Sequence, residues 1–191
     1  MTDSVYLNGQ TINGLNCAGT AYAKGEYEDC TFQNCNFSNA DLSGINFVEC
    51  SFIDCNLSLA KIAGTAFKHV VFTSCKMVGL RFEECNKFLL AMSFDACQLN
   101  LCSFYKLNMK KTFFKDCKLQ EADFSETDLT ETKFDNCDFE GSMFGNTVLE
   151  KADLRTSFGY VIDPERNKIK KAKFSLTGIP GLLAKYNIII E

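Results

Sequence analysis

Eleven cysteines, one histidine and a surplus of carboxylates are the residues of this 191-residue chain that could do chemistry. Thiols in that number could close disulfides, hold a soft metal ion or act as nucleophiles, and paired carboxylates could work as general acid and base. Their spacing points elsewhere. There is no Cys-x-x-Cys pair, His69 stands without an accompanying nucleophile, and no glycine-rich phosphate loop follows a strand. Cys35, Cys55, Cys75, Cys97, Cys117 and Cys137 are instead separated by 20, 20, 22, 20 and 20 residues. Regular separation over a hundred residues is the mark of a repeating scaffold, so the thiols read as small apolar fillers of a core. Cys85, beside the one irregular step, is the thiol expected to be exposed. No catalytic residue, metal or cofactor is expected.

The scaffold that must place these residues has a period of five. From Tyr27 an apolar residue returns at Phe32, Phe37, Leu42, Phe47, Phe52, Leu57, Ile62, Phe67, Phe72, Met77 and Phe82. After a slip of two it resumes at Phe94 and runs through Leu99, Phe104, Met109, Phe114, Leu119, Phe124, Leu129, Phe134, Phe139, Phe144, Leu149 and Leu154. Two positions before most of these stands a Cys, Ala, Thr or Ser, and most other positions are polar. Five fits neither the 3.6-residue helix nor the two-residue strand, so the chain is an internal repeat. The twenty-residue step of the cysteines adds that four units make one coil.

Ala40-Asp41-Leu42-Ser43-Gly44, Ala122-Asp123-Phe124-Ser125-Glu126 and Ala152-Asp153-Leu154-Arg155-Thr156 resemble the pentapeptide repeat consensus. The resemblance implies an all-β fold, a right-handed quadrilateral β-helix with one unit per side. Coils stacked about 4.8 Å apart would give a rod roughly 35 to 40 Å long. Phe and Leu would form columns inside it.

The expected organisation has three parts. Residues 1–24 keep the phase at Leu7, Ile12, Cys17 and Tyr22 in poor flanks, as degenerate coils or a cap. Residues 25–158 are the repeat, interrupted at 84–92, where Asn86 to Leu90 should bulge and expose Phe88 or Leu90. Residues 159–191 hold a last partial coil, then a change of period. Ile179, Leu182, Leu183 and Tyr186 stand at i, i+3, i+4 and i+7 behind Pro180, which predicts a helix of about ten residues, with Ile188 to Ile190 a short strand. Such a helix is marginal alone. Ile179, Leu182, Leu183, Tyr186, Ile188 and Ile190 are therefore the expected surface of a C-terminal homodimer, with capping of the rod as the alternative.

Charge is banded along the chain. Overall it is −4, but Lys61 to Lys118 carries ten basic residues against four acidic. Glu121, Asp123, Glu126, Asp128, Glu131, Asp135, Asp138, Glu140, Glu150 and Asp153 then stand against two lysines. These ten carboxylates are the candidate partner-binding face. No apolar run is long enough to span a bilayer, and Met1-Thr2-Asp3-Ser4 lacks a signal-peptide pattern, so a cytoplasmic protein without membrane contact is expected.

Val161-Ile162-Asp163-Pro164, a basic stretch, a short apolar helix and an apolar tail resemble the C-terminal layout of the gyrase-interacting pentapeptide proteins, the MfpA and Qnr quinolone-resistance family. That resemblance implies a tail-to-tail dimer that imitates DNA, binds DNA gyrase or topoisomerase IV and modulates quinolone action, without itself binding nucleic acid. Two functional readings stand at this point: that DNA mimic, and a scaffold or regulator that binds a non-topoisomerase partner through the bulge or the basic band.

Overall fold

The computed structural model describes residues 4–190 and is a parallel β-solenoid. Short strands stack in two parallel sheets. Val5–Asn8, Gly25–Glu28, Asn46–Val48 and Ala66–Lys68 form one, which we call the first wall. Thr11–Asn13, Thr31–Gln33, Ser51–Ile53, Val70–Thr73, Met92–Asp95, Phe113–Lys115 and Lys133–Asp135 form the second. The third and fourth walls are held by single parallel bridges such as Asn56↔Lys76, Gln98↔Lys118 and Ser103↔Asp123. The register is twenty residues per coil, as in Phe32↔Phe52, and becomes twenty-two once, at Phe72↔Phe94. The first coil obeys it too, with Val5 opposite Gly25 and Thr11 opposite Thr31.

Most units turn their corner through one residue with positive φ, seen at Asn34, Asn39, Asp54, Glu126 and Asn136. Left-handed backbone is disfavoured for side chains with a Cβ and least so for Asn and Asp. That preference places Gly, Asn and Asp at many corners. The central residue of each unit then points inward. On the second wall Phe32, Phe52, Phe72, Phe94, Phe114 and Phe134 stack ring on ring, with successive centroids 4.7 to 5.4 Å apart. Phe82, Phe104 and Phe124 do the same on the fourth, at 5.0 and 4.9 Å. The two ladders meet edge to face, Phe104 against Phe114 at 89°.

The small residue two positions earlier does more than fill space. Thr65 Oγ1 donates to the Leu42 carbonyl at 2.7 Å, Ser142 Oγ to Leu119 at 2.6 Å and Cys55 Sγ to Phe32 at 3.3 Å. The thiols are thus hydrogen-bonded members of the ladder and not only fillers. Their spacing of one coil stacks Cys55, Cys75 and Cys97 on the third wall, where they donate to the carbonyls of Phe32, Phe52 and Phe72.

Candidate functional site

Among the described residues no group of three His, Cys, Asp or Glu is placed to hold a metal ion, and no helix is long and apolar enough to cross a membrane. Three of the buried thiols lie far from nucleophilic conditions. Burial pushes Cys50 and Cys85 up to about 11 and Cys102 to about 12. Cys85, expected at the surface, is 5% exposed: the bulge begins after it, and its side chain still points inward. His69 is exposed at a corner, with φ of 55°.

The ten carboxylates between Glu121 and Asp153 do not share a face. Thirty-three residues wind around the coil more than once, so a continuous stretch of sequence becomes a collar. Asp128 bridges Asn108 and Val148 on the first wall, and Asp153 bridges Lys133 on the second. Asp138 bridges Lys118 on the third, and Asp123 bridges Ser103 on the fourth.

Half of the collar is also neutralised. Because coils repeat every twenty residues, the basic band lies directly against the acidic one. Lys106 meets Glu126 at 3.4 Å, Lys110 meets Asp128 at 3.1 Å, and Lys111 meets Glu131 at 3.8 Å. Lys151 reaches the same Glu131 from the other side at 2.7 Å, while Lys133 holds Asp135 and Arg155 holds Asp153. Hydrogen bonds from Lys151, Lys133 and Arg155 keep Glu131, Asp135 and Asp153 below the usual carboxylate range. At Asp128 partial burial pushes the carboxyl up, but bonds from Thr130 and Lys110 outweigh it. Glu121, Asp123, Asp138, Glu140 and Glu150 make no ion pair among the described residues. Sequence reading found the bands but missed the pairing, although the spacings 106 to 126 and 111 to 131 carried it.

The C-terminal segment closes the rod differently from expectation. Its α-helix is only five residues, Ile179–Leu183, between 3-10 turns at Leu176–Gly178 and Ala184–Tyr186. Two glycines set this: a Cβ at Gly178 would overlap the Tyr160 hydroxyl, and one at Gly181 the Tyr160 carbonyl. Lys185 clamps the segment, 2.8 Å from Asp163 and 2.7 Å from Glu165, and Tyr186 donates to Glu165 at 2.9 Å. Asn187 ends it in left-handed backbone. Ile188 to Ile190 form no strand, because no neighbouring strand within the chain meets them, and they stay exposed. Of the six candidate dimer residues, Leu182 packs on the core, Leu183 is half-buried, and Ile179, Tyr186, Ile188 and Ile190 are open to solvent.

A family model, the pentapeptide repeat region, matches residues 26–88 and 80–154. The chain is a pentapeptide repeat protein. Among solved pentapeptide repeat structures, HetL from the cyanobacterium Nostoc, described as involved in heterocyst differentiation regulation, is 15% identical over 91% of this chain and 88% of its own, with a TM-score of 0.56. Full-length QnrB1, a plasmid-mediated fluoroquinolone resistance protein, is 19% identical over 96% and 100%, with a TM-score of 0.46. No curated protein matches the chain. The likeness to HetL speaks to the repeat fold alone.

Proposed function

We propose that this pentapeptide repeat protein is a non-enzymatic binding rod that engages DNA gyrase or topoisomerase IV as a C-terminally joined homodimer and so modulates quinolone action. The observation that carries the reading is the pairing state of the acidic collar. Lysines and Arg155 consume half of it, so any imitation of duplex phosphates rests on Glu121, Asp123, Asp138, Glu140 and Glu150, which have no ion pair among the described residues. Glu121 and Glu140 stand one coil apart, joined by the Glu121 N–H bond to the Glu140 carbonyl at 2.9 Å, and Asp138 lies on the third wall beside them. The open apolar side chains of Ile188 to Ile190 supply a surface for the joint.

The test is gyrase supercoiling with and without a quinolone, using wild type and Glu121→Lys/Glu140→Lys. Wild type should shift the quinolone response at micromolar concentration, and the double variant should not. Absence of any effect of the wild type on either enzyme would remove the topoisomerase partner and leave a scaffold for another protein.

A further inference from the structure

The first wall is open on one side of the bulge. Asn86 N–H donates to Thr65 at 2.8 Å and Ala91 N–H to Phe67 at 3.0 Å, which ties the inserted segment to the coil before it. The coil after it is tied only onward, by Met109 N–H to Asp128 at 2.8 Å and Lys111 N–H to Thr130 at 3.0 Å. Among the described residues no backbone hydrogen bond joins 86–90 to 107–111. Elsewhere on this wall the corresponding bonds are made, for example Asp128 N–H to Leu107 and Val148 N–H to Thr127, both at 2.9 Å. By that register the Asn108 N–H should meet the Cys85 carbonyl, and it does not.

The gap is a surface cleft of about 320 Å³ lined by Lys87, Leu89, Leu90, Lys106, Asn108 and Lys110. Phe88 and Leu89 stand beside it, 68% and 61% exposed. Unpaired strand edges take up extended segments through main-chain hydrogen bonds, and flanking side chains select the sequence. Here the selecting groups are three lysines around an apolar floor. Lys87 has no ion pair among the described residues, and Lys106 and Lys110 meet their carboxylates while half exposed.

We propose that this seam is a docking slot for an extended acidic segment of a partner protein, which pairs with the backbone at Asn108 while its carboxylates meet Lys87, Lys106 and Lys110. A nucleic acid fits less well. Phe88 and Leu89 offer apolar surface that an extended peptide can cover and a phosphate backbone leaves unused.

A fluorescein-labelled peptide of four Glu-Val repeats, titrated with the full chain at low salt and followed by anisotropy, tests the slot. Saturable binding that weakens with salt is expected. Deleting Lys87 and Phe88 leaves Cys85-Asn86-Leu89-Leu90-Ala91, which restores the twenty-residue coil with an apolar centre, closes the seam and should abolish binding. Lys87→Glu/Lys110→Glu should weaken it about tenfold with unchanged circular dichroism, and it decides the matter if the deletion variant fails to fold. No binding by wild type, equal binding of a Lys-Val peptide, or tighter binding of a thymidine oligomer would overturn the proposal. The slot and the acidic collar are separate surfaces, so peptide binding without any gyrase effect would retain this inference and sink the topoisomerase reading.

Discussion

The hydroxyl of Thr127 donates to the carbonyl oxygen of Phe104 at 2.7 Å, across 23 residues of sequence and one layer of the rod. Both groups are buried. Thr127→Val keeps the shape and removes the donor, leaving the Phe104 carbonyl with the Leu107 N–H alone, at 3.1 Å. The expected cost is about 0.5 to 1.5 kcal/mol in urea unfolding, whereas Thr127→Cys, which retains a weak donor, should lose less.

Phe124 sits between Phe104, at 4.9 Å and nearly parallel, and Phe144, at 5.4 Å. Backbone bonds on every wall hold the coils apart, so a hole in this column cannot collapse. Phe124→Ala should therefore cost about 3 to 5 kcal/mol, measured as the shift in the urea midpoint at constant slope.

Acid should loosen the collar before the core. Glu131, Asp135, Asp153, Asp163 and Glu165 are held below their ordinary values by hydrogen bonds from Lys151, Lys133, Arg155 and, for the last two, Lys185. A depressed folded value means a contribution present above the unfolded value and lost as the pH falls through the folded one. The melting temperature should thus be flat near neutrality and fall below about pH 4, with a smaller fall for Lys185→Met. A flat profile down to pH 2 would contradict the pairing.

Leu182 and Ile189 separate capping from dimerisation. Leu182 is packed on the core, so Leu182→Asp should lower the melting temperature whatever the oligomeric state. Ile189 is 89% exposed, so Ile189→Asp should halve the mass seen by light scattering and leave the melting temperature of the rod unchanged. A wild type that is already monomeric at micromolar concentration would end the dimer proposal.

How much of this was legible beforehand depends on the range of the interaction. The inward columns, the coil length and the twenty-two-residue step at Phe72↔Phe94 are written in the five-residue period, because one side chain per unit has one place to go. The small residues were legible in size but not in role, since Thr127 and Cys55 find their acceptors only after a full coil. Lys110 and Asp128 looked like members of opposed bands, yet the same period that built the core makes them neighbours. At the C-terminus the apolar spacing suggested one helix and a strand. Gly178 and Gly181, pressed onto Tyr160, dictate a tighter and more broken path. The start of the bulge after Cys85 was hidden for a similar reason: where two extra residues go is settled by which inward position Leu90 can reach.

The seam also governs how the molecule deforms. At the level of Asn108 the second, third and fourth walls stay fastened, through Ser93↔Phe113, Gln98↔Lys118 and Ser103↔Asp123, while the first is slit. A beam slit on one side flexes most readily in the direction that widens the cut. Thermal bending of this rod is therefore one-sided, with its crease midway along and both halves stiff.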